Sequence, residues 1–397
     1  MTGQGIVRVA FLYNAQFHQI LHSLPFALEL SAMPGVDVDI LSPTQAHQDF
    51  IADLARLYPE HQAVQKRLEE PGWLKLAHAL YRSTVPPKAL TLFANRRLLD
   101  GYDALVVPER STTVVRRFGV TRPKLIHTAH GAGDRATAID PRIKLFDFFL
   151  VPGPKTASWL LERGLVRPGG YAVGAYAKLD IVRRLGERKP RLFPTDKPVI
   201  LYNPHFKGSL SSWPKWGEAI LDRLAAQDRY NVIFAPHVRL FDPPSPADYE
   251  RFTRFRDLPH MLIDLGSARS VDMTYTAAAD LYLGEVSSQV YEFLLEPRPC
   301  VFLNAHHVAW QGNERYGSWT LGPVVERVDA LMEAIDRAFA SHGSLLAAQR
   351  EAVERTFDLG IPEPGRFGAR RLHDYLTAAT IRQGRAGDGR HGEEYAA

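Results

Sequence analysis

Short apolar runs bounded by Gly, Pro, Asn or Asp recur along the chain, with stretches of helical periodicity between them. Residues 6–13 have the length and β-branched content of a buried strand, and Asn14 ends it. Apolar positions then follow helical spacing from Phe17 to Leu30. Further strands are predicted over 36–41, 103–107, 123–128, 146–151 and 171–174. The stretch 45–99 reads as largely helical, broken at Pro71-Gly72 and Pro86-Pro87. Strands alternating with helices argue for a parallel sheet covered on both faces. A charged, proline-containing stretch over 183–198 (Arg183, Arg184, Arg188, Lys189, Pro190, Arg191) suits an interdomain linker. The alternation then resumes, with strands over 199–202, 230–235, 281–283 and 299–303, a short extended piece at 261–264, and helices over 213–226, 331–339 and 344–356. The expected class is α/β: two Rossmann-like doubly wound domains facing a central cleft. Their expected extents are 1–182, a linker over 183–198, and 199–364; a C-terminal helix over 365–381 and a polar, Gly-rich, disordered tail over 382–397 follow.

Composition narrows the classes. A length of 397 residues suits two or three domains, and 45% hydrophobic with 23% charged residues is ordinary for a soluble protein. No apolar run approaches the roughly 20 residues that span a bilayer, and the N-terminus lacks the basic-then-apolar layout of a signal peptide. The single Cys300 excludes an internal disulfide framework and a multi-Cys metal site; its apolar neighbours read as those of a buried, inert thiol. A cytoplasmic protein is the simplest expectation. The net charge of +4 is uneven: Lys75, Arg82, Lys88, Arg96 and Arg97 fall within 73–99, and five more basic residues within 110–124, with no acid in either stretch. Trp73, Leu76, Leu80, Leu90 and Phe93 are interleaved, so 73–124 reads as a membrane-surface or polyanion contact; a solvated helical face with core contacts fits the same residues. No nucleic-acid motif occurs, and none is expected as a partner.

The stretch 280–293 carries candidate chemistry. An apolar strand ends at Ser287-Ser288, and a helix-period segment follows from Val290. The first N–H groups of such a helix lack partners and point toward an anion. With Ser288 as N-cap, a nucleotide fits with its diphosphate on the Ser-Ser turn and its ribose diol on Glu292; an ordinary turn with a capping serine and a solvated glutamate fits too. His18 and His22 lie four apart, so a helix would put them on one face. Further metal ligands at suitable spacing are not evident, whereas contact with a ligand would suit a strand-to-helix turn of an open α/β sheet.

Several landmarks then occur in order. They are His130-Gly131 after a strand; Phe146-Asp147-Phe148-Phe149; Gly174-Ala175-Tyr176-Ala177-Lys178-Leu179-Asp180; Leu201-Tyr202-Asn203-Pro204-His205-Phe206-Lys207; Pro236-His237; the 280–293 stretch; and Leu321-Gly322-Pro323-Val324. Over roughly residues 100–376 this order resembles the CDP-glycerol glycerophosphotransferases of teichoic-acid type, two-domain enzymes of the GT-B fold. Glu285 and Glu292 stand where that family has aspartates, Ala129 and Ala132 replace Trp and Thr around the His-Gly pair, and His205 and Lys207 replace Thr and Arg.

The resemblance implies a transfer of glycerol phosphate, or a similar polyol phosphate, from a CDP-activated donor to a hydroxyl of a glycan or lipid acceptor, with CMP leaving. His130 is the candidate base, and Gly131 would allow close backbone approach. His237 would bind donor phosphate with His205 and Lys207; Ser287 and Ser288 would hold the diphosphate and Glu292 the ribose. Glu285, Lys178 and Asp134 are further candidates. No Asp-x-Asp pair stands in the matching positions, so neither metal nor cofactor is expected. The expected location is cytoplasmic, peripheral on the inner membrane face. Two other readings stand beside this one: a GT-B glycosyltransferase using a nucleotide sugar, and a nucleotide-binding protein without catalysis.

Overall fold

The computed structural model describes residues 6–80, 85–129, 131–134, 140–186 and 191–388, with side chains to 378. The run Val7–Leu12 forms β1, and β2 (Val36–Ser42), β3 (Val64–Arg67), β4 (Ala104–Val107), β5 (Lys124–Thr128), β6 (Phe148–Val151) and β7 (Tyr171–Val173) complete a seven-stranded sheet. Its order is β3-β2-β1-β4-β5-β6-β7, and the paired strands run parallel. A second, six-stranded sheet uses β8 (Val199–Asn203), β9 (Asn231–Phe234), β10 (Met261–Ile263), β11 (Leu281–Gly284), β12 (Cys300–Leu303) and β13 (Val324–Val325) in the order β10-β9-β8-β11-β12-β13. Every residue of β4, β6, β9, β11 and β12 is buried, as continuous apolar runs in a sheet covered on both faces must be. In both sheets the strand order reverses beside the first strand: between β1 and β4, and between β8 and β11. Those two reversals are where open α/β sheets bind ligands, beyond the carboxyl ends of the strands.

Four local expectations change. Within the stretch expected to be helical, β3 is a strand: its Val-Gln-Lys-Arg sequence is that of a mostly exposed edge strand, so alternation of apolar residues does not announce it. The helix expected over 17–30 is two, His18–Leu21 and Leu24–Ser31, the second with Pro25 in its first turn. A 3₁₀ helix, Arg110–Phe118, follows β4 where no element was expected. The helix Lys178–Leu185 occupies the start of the presumed linker, and part of that stretch lies outside the described residues.

The last helix, Pro364–Asp388, runs past the expected end at 381 and packs back onto the first half. Its Ala369, Leu372 and Leu376 join the core under Leu24–Ser31. At Gly368 an added Cβ would stand 2.4 Å from the Phe26 ring, so only glycine permits this approach. The remaining tail, 389–397, lies outside the described residues. A separate apolar cluster joins the two halves, bringing Ala132, Tyr176 and Leu179 against Val286, Val290, Tyr291 and Phe357.

Candidate functional site

The second strand-order reversal is held by polar groups that the strands themselves bury. Asn203, at the end of β8, donates Nδ2–H to the Ala235 carbonyl at 2.6 Å and accepts from the Tyr282 hydroxyl at 3.1 Å, tying the ends of three adjacent strands. Just beyond β11, the Glu285 carboxylate is 1% exposed and accepts from the backbone N–H groups of His205 at 2.8 Å and Ser212 at 2.7 Å. Burial pushes its carboxyl up to about 7. Glu285 therefore shapes the 205–212 loop rather than facing a ligand.

That loop carries His205, and His237 follows the end of β9 beside it. The Nδ1 of His205 accepts from the Lys207 N–H at 2.9 Å, and the Nδ1 of His237 accepts from the Arg239 N–H at 3.2 Å. An imidazole accepting at Nδ1 carries its proton on Nε2, so both neutral rings are hydrogen-bond donors at Nε2. The ring centroids of His205 and His237 are 5.7 Å apart; Phe206 lies 4.6 Å from each, and the Arg239 guanidinium covers Phe206 at 4.3 Å. His18, from the first half, reaches the His237 ring at 5.8 Å. His22 instead packs edge-on to Tyr176 at 5.3 Å, so the expected histidine pair divides between two neighbourhoods. Lys207 is exposed beside this cluster.

The Ser-Ser turn meets the first half directly. Gly131 has φ +152°, and a Cβ there would stand 2.9 Å from the Ser288 Oγ, so the close approach requires glycine. His130 lies outside the described residues. The cradle expected on the Ser-Ser turn is not built as a capped helix. The helix Gln289–Phe293 has five residues, Ser288 makes no side-chain cap bond, and Ser287 Oγ accepts from the Gln289 N–H at 3.2 Å. The turn thus consumes part of its own donor set.

Glu292 also has a different task from the one expected. Its side chain is 2% exposed and receives Lys178 Nζ at 2.7 and 2.9 Å and the Tyr176 hydroxyl at 2.5 Å. Two donor groups from the first half, making three hydrogen bonds, occupy the carboxylate that was expected to hold a ribose. Asp134 makes a second bridge between the halves. It accepts from Lys155 Nζ at 3.0 Å, the Tyr291 hydroxyl at 2.5 Å and the Ser318 N–H at 2.7 Å, and Lys155 Nζ also sits 3.8 Å over the Tyr291 ring.

One polar cluster escaped the sequence reading. At the first reversal, Glu109 beyond β4 accepts from Gln19 Nε2, from Lys88 Nζ at 3.3 Å and from Ser111 Oγ at 3.1 Å. Lys88, counted as part of a basic surface, turns inward, and burial holds its pKa below the ordinary lysine value. A Pro-Glu pair at the end of a predicted first-half strand was the available signal. Next to the Gly131–Ser288 contact lies a cavity of about 800 Å³, with Gly131, Asp134 and Trp159 on one side and Ser288, Tyr291 and Arg355 on the other. Among the described residues no group of three or more His, Cys, Asp or Glu is arranged to hold a metal ion, and no helix is long and apolar enough to cross a membrane.

No protein-family model matches the chain, and no curated protein matches its sequence. Solved structures do match. The wall teichoic acid polymerase TagF is similar at 12% identity with a TM-score of 0.60, covering 95% of this chain and 89% of that one. The UDP-GlcNAc 2-epimerase from Neisseria meningitidis, bound to UDP-GlcNAc, gives 14% identity and a TM-score of 0.59 over 93% of this chain and 99% of that one. Sucrose-phosphate synthase from Thermosynechococcus elongatus gives 15% and 0.53 over 94% and 100%. At these identities the likeness is one of fold: two helix-flanked parallel sheets in a GT-B-like arrangement.

Proposed function

We propose that the chain is a GT-B transferase acting on a nucleotide-activated donor, and that the donor is a CDP-activated polyol from which polyol phosphate moves to a hydroxyl acceptor. The observation that carries this reading is the meeting, at the second strand-order reversal, of the Nε2 donors of His205 and His237 with His18 of the first half. The ordered motifs over 100–376, and the fold likeness to TagF, support the polyol phosphate. The acceptor oxygen forms a bond to the phosphorus bearing the polyol, the P–O bond to CMP breaks, and the acceptor proton passes to His130. His237 and His205 donate to the phosphate oxygens as charge shifts to the leaving CMP; Glu285 anchors the His205 loop, and the His237 N–H donates to the Pro204 carbonyl. These N–H donors, with the exposed Lys207 beside them, do the charge work, so turnover is expected to continue in EDTA; a loss restored by magnesium would overturn that part.

The acceptor's membrane association is supported by the helix Gly72–Leu80. It exposes Trp73 (47%), Leu76 (66%) and Leu80 (78%) along one face, near exposed Leu90 and Phe93. Lys75, Arg97 and Arg117 are exposed nearby in sequence, whereas Arg116 is tied to the carbonyls of Val120, Thr121 and Pro123. This is the chemistry of an anionic lipid surface.

The test is a panel of CDP-polyols and UDP-sugars with the released nucleotide identified by mass. CMP is expected. Release of a nucleoside diphosphate would instead establish sugar transfer, the second reading, which the likeness to two nucleotide-sugar or sugar-phosphate enzymes favours. If His237→Ala leaves turnover of the preferred donor unchanged, the catalytic assignment fails.

A further inference from the structure

We infer that the cavity beside Ser288 is an acceptor subsite for a neutral, hydroxyl-rich chain, a glycan rather than a polyanion. The inference rests on the proposed transfer, because Gly131, next in sequence to the proposed base His130, and Ser288 of the candidate diphosphate turn both line the cavity. The space, about 800 Å³, lies between the helix Pro154–Glu162 of the first half and the helix Leu346–Thr356 of the second. It is large enough for several linked rings or polyol units, in the range of pockets that enclose sizeable ligands.

The charge of the lining selects the ligand. Arg110, Lys155, Arg163 and Arg355 contribute four cations among the described residues. Asp134, Glu162, Glu314 and Glu351 contribute four anions, so the formal balance is zero. Several of these are paired with each other: Lys155 with Asp134 at 3.0 Å, and Arg163 with Glu314 at 3.2 Å and Glu162 at 3.7 Å. A phosphate-bearing chain entering here would meet as many carboxylates as cations, with no net field to offset its desolvation. A sugar needs the opposite arrangement: interspersed donors and acceptors for its hydroxyls, and an apolar surface for its C–H faces. Trp159 supplies that surface from the wall, with the Arg163 guanidinium 4.9 Å from its ring centre and Ile143, Phe149 and Leu321 also lining the cavity. Its indole N–H is buried and has no hydrogen-bond partner among the described residues. The donor side differs, since Lys207 and Arg239 are exposed there beside the histidines.

Isothermal titration of the full-length chain decides the matter, using a panel of neutral tetrasaccharides (chito-, malto-, gluco- and galacto-series) and oligo(glycerol phosphate), each with and without CDP. At least one neutral tetrasaccharide should bind, with an affinity that does not change between low and high salt. Trp159→Ala should weaken it about tenfold, the scale of one lost aromatic contact. Ser158→Trp, which fills the cavity from an exposed position, should abolish it even if Trp159→Ala unfolds the chain. Binding of oligo(glycerol phosphate) alone, binding of no member, or saccharide binding indifferent to Ser158→Trp would each overturn the inference. CDP titrated by itself separates the two ideas: CDP binding without a saccharide sinks the subsite and spares the donor reading, and saccharide binding without CDP does the reverse.

Discussion

The two bridges between the halves have the same parts and different surroundings. In each, a carboxylate takes one lysine ammonium and one tyrosine hydroxyl: Glu292 takes both, from Lys178 and Tyr176, across the interface, whereas Asp134 takes Lys155 from its own half and only Tyr291 from across it. The Lys178 and Glu292 side chains are 4% and 2% exposed, whereas Lys155 is 24% exposed beside Asp134 at 6%. Coulomb attraction and desolvation both grow with burial, so the first bridge is a structural knot whose halves cannot be removed singly. The second borders the cavity, where solvent or a ligand can compensate for a lost partner. Identical chemistry therefore serves cohesion in one place and a site wall in the other.

The largest effect should come from breaking the buried bridge on one side. Lys178→Met is expected to cost about 3–5 kcal/mol in denaturant unfolding, because it strands the Glu292 charge. The double variant Lys178→Met/Glu292→Leu should recover most of that loss. A double variant no better than the single one would show that the pair contributes more than it costs to bury.

Glu285 sharpens the contrast, since it accepts from backbone N–H groups rather than from a lysine ammonium. Its carboxyl lies near 7 when folded and has an ordinary value of 4.5. The folded state therefore holds the proton more tightly, and the Glu285 contribution to stability falls as pH rises from about 4.5 to about 7. Over that window the loss is about 3 kcal/mol by proton linkage. Glu285→Gln removes the titrating group, so pH-resolved unfolding should lose that slope; an unchanged slope would move the titration elsewhere.

Asp134→Asn should cost less, about 1–3 kcal/mol, the scale of charge-assisted hydrogen bonds lost at a partly exposed lysine. Because Asp134 borders the cavity, the acceptor KM should rise with it, and a stability loss equal to that of Lys178→Met would erase the distinction between the bridges. The smallest change in stability, below about 0.5 kcal/mol, is expected for Trp73→Glu/Leu76→Glu, where both side chains are exposed. Flotation with anionic vesicles should nevertheless fall, with turnover of a soluble acceptor unaffected.

The doubled α/β plan was legible because each strand announces itself locally: Ala104–Val107 and Cys300–Leu303 are apolar throughout and bounded by turn residues. Glu285 and Glu292 were legible as noteworthy, and their tasks were not. The donors to Glu292 come from residues 114 and 116 positions away, and Tyr291 reaches Asp134 across 157. No periodicity encodes such pairings. Glu109 was hidden for the same reason: its partners Gln19 and Lys88 lie 90 and 21 positions earlier. Trp159 gave no signal at all, being one aromatic on an amphipathic helix until a second-half helix faces it.

What the chain determined by itself is what short-range pattern can carry: buried parallel strands, turns at their carboxyl ends, and hence the histidines and serines gathered where strand order reverses. The tertiary structure decided which of those groups remain available. Whether a carboxylate meets a ligand, an ammonium or a backbone N–H depends on how the two halves dock, and docking sums contacts between residues more than a hundred positions apart.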